Sequence, residues 1–318
     1  RSRVSSQAWK RAIRDYFNTN GEQSNVGVRT KDIVRYVAGK IVELDNSISF
    51  EDALTKADTV LIATGIKKKG KVKALYFMGD RQAEKLAQAA YENLTDKKEL
   101  QKLASSNPAI DVAMFGRMVA EDPVLNEDAS SQVAHAISTH AVQTEFDFFT
   151  AIDDLAPEDN AGAGMLGTIE FNSSTLYRYA NVAIHELSKQ LEDEKSLKNS
   201  LNLFIEAFAN SLPTGKVNTF ANQTLPQALI VSLRDDRPVN LVSAFEEPVK
   251  STDGYVAKSI EKLSKEYTRV GKFVNKPLLT FYVTLDENES LKQIGEEKYS
   301  VSELLKDFSE TLEQFLKK

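Results

Sequence analysis

The chain has 318 residues, 40 Lys and Arg against 46 Asp and Glu, a formal net charge of −6, and 42% hydrophobic residues. That is ordinary globular composition, long enough for one large core or two domains, and it excludes large-scale disorder. There is no cysteine and no run of apolar residues long enough to span a bilayer; disulfides, thiolate zinc sites and cysteine nucleophiles are excluded, and a cytoplasmic protein is expected.

Arg1 to Arg14 carries five cations and no acid. Ser5 or Ser6 reads as an N-cap, which predicts a helix whose free N–H groups and positive dipole end face an anion. Trp9, Ile13 and Tyr16 share one stripe, and Lys10, Arg11 and Arg14 lie on the opposite surface. Two readings stand: a solvated helix with cationic decoration, or a phosphate site where hydroxyls and an amide add neutral donors beside the charges.

Asp32 to Val42 and Glu51 to Val60 show helical spacing. Val60 to Ile66, the lysine turn Lys67 to Lys71, and Val72 to Phe77 read as a β-hairpin. Gly65 to Val72 approaches a phosphate-binding loop but fails, because Val72 stands where the magnesium-holding hydroxyl belongs and opens an apolar strand. Its lysines read as an exposed tip, with electrostatic capture of nucleic acid as the alternative. Further helices are predicted over Arg81 to Asn93 and Asp96 to Ala104.

From Asp111 short β-branched and aromatic runs take over: Asp111 to Met118, Thr144 to Ile152 and Gly167 to Ile184 read as extended. The last two flank the Asp-, Ala- and Gly-rich loop Asp153 to Gly164 and look like arms of a long hairpin. If it protrudes, its aromatic residues need cover, from bases of a single strand or from a neighbouring subunit; plain core is the alternative. His135, His140, Asp153 and Asp154 are the grouping closest to a metal or acid–base site. On a helix the two histidines would stand about 140° apart, so structural roles are expected. No Gly-x-Ser-x-Gly elbow offers a hydrolytic nucleophile. Leu197 to Leu212 reads as a helix stopped by Pro213, Leu229 to Leu233 as a buried strand, Val256 to Tyr267 as a helix and Thr280 to Thr284 as a strand. The last helix is the clearest: Val301, Leu304, Leu305, Phe308, Leu312, Phe315 and Leu316 form one stripe behind a Ser300–Glu303 capping box. This order predicts an α+β sheet domain with a helical insertion near its start.

Seven motifs stand in one order over nearly the whole chain: Arg3-Val-Ser-Ser-Gln7 with Lys10-Arg11, Phe115-Gly-Arg-Met118, Ala134-His-Ala-Ile-Ser-Thr-His140, Phe148-Phe-Thr-Ala-Ile-Asp-Asp154, Leu166-Gly-Thr168, Tyr177-Arg-Tyr-Ala-Asn181 and Ala244-Phe-Glu-Glu-Pro-Val-Lys250. In them the chain resembles the CasC family, the crRNA-binding backbone subunit of type I-E CRISPR Cascade, an antiviral RNA-guided complex. The resemblance implies an RRM-like (ferredoxin-like) palm at 1–18 and 108–318, a helical finger inserted at 19–107, and a thumb hairpin at 141–170. It implies RNA phosphate contacts by Ser5, Gln7, Lys10, Arg11 and Arg14, and base-separating contacts by Met118, Phe149, Thr150 and Ile152. Lys216 would lie on a basic loop facing RNA, and Lys250 with the finger-helix residues Lys97, Lys98 and Lys102 would meet DNA. The implied partners are guide RNA, target DNA through that RNA, other Cascade subunits and about six copies of the chain in a filament; no cofactor, metal, membrane or catalysis is expected. The resemblance also implies a further N-terminal stretch carrying the first palm strand. A different reading is a metal-dependent ribonuclease using Asp153 or Asp154, by analogy with backbone subunits of related RNA-cutting complexes.

Overall fold

The computed structural model describes residues 1–21, 26–68, 75–119, 122–151, 165–191 and 193–317. In chain order the first elements are β1 (Arg3–Val4), α1 (Ser6–Asn20), β2 (Val28–Thr30), α2 (Ile33–Leu44), α3 (Phe50–Thr64), β3 (Tyr76–Met78), α4 (Asp80–Tyr91), α5 (Lys97–Ser105) and α6 (Ile110–Phe115). Then come β4 (Ser131–Val133), β5 (Ala136–Ser138), β6 (Glu145–Ala151), β7 (Met165–Phe171), β8 (Leu176–Tyr177), β9 (Ala180–Val182), α7 (Ile184–Leu191), α8 (Glu194–Asn210) and α9 (Val217–Phe220). The remainder is β10 (Ala228–Leu233), α10 (Val256–Val270), β11 (Leu279–Thr284), α11 (Glu289–Lys292), β12 (Glu296–Glu297) and α12 (Val301–Leu316). The chain is thus a mixed α+β protein, and it divides into two compact units.

One unit takes Arg1–Ser6, Ala134–Tyr179 and Gln227–Lys298. Its β1, β5 and β8 form an antiparallel sheet in that order, and β10, β11 and β12 form another in which β12 runs parallel to β11. The amphipathic α10 supplies Ile260 and Tyr267 to a cluster with Tyr282, Leu291 and Ile294. The hairpin β6–β7 pairs Glu145 with Phe171 through to Ala151 with Met165.

The other unit takes Gln7–Val133, Ala180–Pro226 and Tyr299–Lys318. Its main core joins Ile33, Val37 and Ile41 of α2, Val60 and Leu61 of α3, Leu86 of α4 and Leu100 of α5. Alanines at 53, 57, 83, 87 and 90 line the same core, and side chains that small let helix axes approach closely. The α12 stripe buries Leu304, Phe308 and Leu312. Ser300 caps this helix by accepting from the Glu303 amide, while Glu303 reaches back to the Tyr299 amide, one residue beyond a standard capping box.

Two extended runs of the sequence reading are helical. Val60 to Thr64 completes α3, and Gly65, left-handed at φ 91°, closes it; β3 pairs instead with β2, Val28 opposite Met78. Val60 and Leu61 continue the buried face of Ala53 and Ala57, so core packing overrides their strand propensity. Lys67 pairs with Asp58 and Lys68 is exposed, while residues 69–74, including Lys69 to Lys71, lie outside the described residues. Asp111 to Phe115 belongs to α6, which is buried on nearly every side; a short, wholly buried helix leaves no periodic signal. Among the described residues no helix is long and apolar enough to cross a membrane.

Candidate nucleic-acid interface

Burial of Trp9, Ala12, Ile13 and Phe17 fixes the rotation of α1. Tyr16 sits half-buried at the edge of this stripe, donating to Glu206 at 2.9 Å. Gln7 and Arg11 remain exposed, as does Ser5 just ahead of the helix. Among the described residues Arg11 makes one ion pair, long and exposed, with Asp15 (3.8 Å), a contact worth little in water. The Lys10 ammonium lies 5.9 Å from the centre of the Phe115 ring.

Arg14 turns inward from the other cations of α1. Its Nε donates to Asp111 Oδ2 at 3.0 Å, and its guanidinium lies 4.5 Å from the centre of the Phe77 ring. Asp111 is fully buried and takes the Gly27 N–H on its other oxygen at 2.8 Å. Burial pushes the Asp111 pKa up, with Gly27 and Arg14 pulling it back. Arg14 therefore compensates a buried carboxylate. Periodicity could not show this, because the partner is 97 residues away.

The turn after α6 aims Met118 outward. Gly116 adopts φ 77°, and a Cβ there would lie 2.9 Å from the Glu127 carbonyl, so only glycine fits. Arg117 exchanges both backbone hydrogen bonds with Glu127, and its guanidinium points inward. There it donates to the carbonyls of Leu125 (3.0 Å), Phe77 (3.2 Å) and Ala104 (3.3 Å) and to the Gln82 side chain (3.3 Å). Extended residues alternate sides, so the anchored Arg117 leaves Met118 86% exposed. Phe115, three residues earlier, meets both Lys10 and Phe17 of α1. Through Phe115 and Arg117, α1 and the C-terminal turn of α5 both abut the turn that presents Met118.

Lys98 and Lys102 are exposed on α5. Lys97 is not free beside them: its Nζ lies 3.1 Å from Asp122 and holds that carboxyl below the usual range. Lys216 is exposed on the segment linking α8 to β10, in a left-handed conformation at φ 60°, with Ala221 also left-handed at 45°. Such backbone costs energy in a non-glycine residue.

In the first unit, the pairing of β6 with β7 puts Phe149 opposite Gly167. Its ring covers the glycine so closely that an added Cβ would lie 2.3 Å from it. Thr150, the next residue, faces the opposite side with the exposed Phe146, Phe148 and Leu166. Phe149 and Thr150, two of the four residues expected to part bases, thus lie on opposite faces of the hairpin. Register and strand alternation place Phe146 and Leu166 on one face with Phe148. Lys250 is exposed, one residue after Val249, whose amide bonds the Thr139 carbonyl. Ile152, Asp153 and Asp154 lie outside the described residues.

His140 has a structural role. Thr175 N–H donates to its Nε2 at 3.1 Å, its Nδ1 lies 2.7 Å from the Ala141 carbonyl, and its ring stacks on Tyr255 at 3.7 Å. These contacts tie together the two segments that lead into β6 and out of β7. His135 is exposed. Among the described residues no group of three or more His, Asp or Glu side chains could hold a metal ion.

A family model described as CT1975-like protein matches residues 1–308. A solved chain titled "CRISPR RNA-guided surveillance complex, pre-nicking" is 28% identical, with a TM-score of 0.85 over 98% of this chain and 90% of that one. A second, titled "CRISPR RNA-guided surveillance complex", has a TM-score of 0.72 over the same shares; at 23% identity it speaks for the fold alone. No curated protein matches the sequence. The family match runs through both units and takes in both α1 and the Met118 turn: the chain belongs to the CT1975-like protein family.

Proposed function

We propose that the chain is a backbone subunit of an RNA-guided CRISPR surveillance complex, of the CasC kind found in type I-E Cascade, that grips guide RNA by its phosphates and does not cut it. The carrying observation is the meeting of α1, with exposed Gln7 and Arg11 and the adjacent Lys10, with the anchored turn that holds Met118 out in solvent. Cations and neutral donors beside a protruding apolar side chain suit a single strand whose phosphates are held and whose bases are parted. The likeness to a chain of a surveillance complex, at 28% identity over 98% of the sequence, points the same way. In this reading the β1–β5–β8 unit contributes to an RRM-like palm, the α2–α5 helices are a finger, and β6–β7 is a thumb. Copies assemble along the guide and present it to target DNA, with Lys98, Lys102 and Lys250 as DNA contacts and Lys216 on the RNA side. Specificity then comes from base pairing, and the protein reads backbone and shape.

The test is Lys10→Ala with Arg11→Ala. Guide affinity should fall by the same factor for unrelated guide sequences, and the slope of log affinity against log salt should flatten by about 1.4, roughly 0.7 per lost phosphate contact on a single strand. A loss confined to some sequences would refute backbone recognition.

A further inference from the structure

We infer that the two loops at the shared end of β10 and β11 form a second nucleic-acid contact, in which a base of a single strand stacks on Phe273 while Lys272, Lys276 and Arg237 hold neighbouring phosphates. Phe273 is 91% exposed, on a short segment that is otherwise tightly fixed. Its amide bonds the Val270 carbonyl at 2.9 Å, and the Leu278 amide bonds the Leu233 carbonyl at 2.9 Å. Arg234 clasps the facing loop: it meets both Asp236 oxygens at 2.8 Å, the Arg237 carbonyl at 3.0 Å and the Asn275 carbonyl at 2.6 Å. Asp236 in turn accepts from the Asn275 amide at 3.1 Å. The Arg234 contact holds Asp236 well below the usual carboxylate range, so the clasp is charged at any ordinary pH.

A large apolar ring held out in water by such a clasp is not placed there by packing. The charges around it indicate what covers it. Arg269 to Lys276 holds three cations and no acid, in a chain that is acidic overall. Arg269 is paired with Glu266, but Lys272, Lys276 and Arg237 make no ion pair among the described residues. Asp236 is neutralised by Arg234, which leaves Asp235 as the local acid without an ion pair among the described residues. An exposed aromatic ring on loops whose Lys272, Lys276 and Arg237 make no ion pair among the described residues is complementary to a phosphate strand with unstacked bases. Stacking and phosphate attraction do not distinguish ribose from deoxyribose, so RNA and DNA single strands share the chemistry that would bind.

The inference does not depend on the guide-RNA reading, because the probe is a free oligonucleotide. Fluorescence anisotropy of labelled oligo(rU) and oligo(dT) with the full chain, in the Lys10→Ala/Arg11→Ala background, isolates this site from α1. Adding Phe273→Ala should weaken binding about tenfold or more, as expected for one lost stack, and Phe273→Trp should restore it. Adding Lys272→Ala with Lys276→Ala should flatten the salt slope by a further 1.4 or so. Equal losses for both probes mean any single strand; a loss for one identifies the source. Unchanged oligonucleotide affinity and salt slope in both variants would overturn the inference, as would a Phe273→Ala effect confined to self-association measured by light scattering. Failure of the guide-RNA reading would appear elsewhere, as no difference between the wild type and the Lys10→Ala/Arg11→Ala background.

Discussion

Arg14 shows how one side chain changes meaning between sequence and structure. Beside Lys10 and Arg11 it reads as a phosphate contact, yet it is the cation that makes a fully buried Asp111 tolerable. Removing one partner of a buried pair costs about 3–5 kcal/mol, so Arg14→Met should destabilise the fold by that order in urea denaturation. The pH dependence gives the sign. Burial already raises the Asp111 pKa, so the native state holds this proton to higher pH than the unfolded chain does. Stability from this group is therefore present at acid pH and lost as pH rises through the folded value. Arg14→Met raises that value further, so the deficit should be largest at neutral pH and shrink as pH falls toward the ordinary carboxylate range. A deficit that is flat with pH would mean that Arg14 acts through packing on Phe77 alone. Arg117 makes a related point: its four acceptors come from β3, α4, α5 and the segment before β4, and only in three dimensions does it become the anchor for Met118.

At the scale of elements, the hairpin β6–β7 was readable in outline, because two apolar runs around a Gly-rich loop demand it. Which residues share a face follows from the register, and register is a tertiary fact once the intervening loop is long. Phe149 over Gly167 is its consequence. Gly167→Ala should displace the Phe149 ring and loosen the pairing, since a two-stranded ribbon is marginal alone. Losing about 1 kcal/mol of cross-strand contact should speed amide exchange across residues 145–151 and 165–171 about fivefold. Exchange at the wild-type rate would show that the ring does not hold the strands. The failed hairpin at 60–77 has the opposite lesson. Val60, Leu61 and Ile62 look like a strand by composition, but the helical core formed by Ala53, Ala57 and their neighbours takes them into α3.

At the scale of the whole molecule, the acidic total with a cationic start is what the proposed filament would require, since uniformly basic copies would repel. If backbone copies assemble along a guide, lengthening the guide should raise the mass of the purified complex in steps of one subunit. Light scattering on complexes with guides of graded length would show it, and a mass independent of guide length would end the filament reading.

The sequence by itself determined the mixed α+β class, most of the long helices, the Ser300 cap of α12 and the order of the motifs, because each rests on local periodicity or on residues read in chain order. The tertiary structure decided what each charge does. Arg14 became the partner of a buried carboxylate, Lys97 lies in a partly exposed pair with Asp122, Met118 became the exposed tip of an anchored turn, and Phe149 and Thr150 came to lie on opposite faces. The physical reason is that an ion pair or a strand register joins groups far apart in sequence, and burial, which sets the worth of a charge, exists only once the chain has folded.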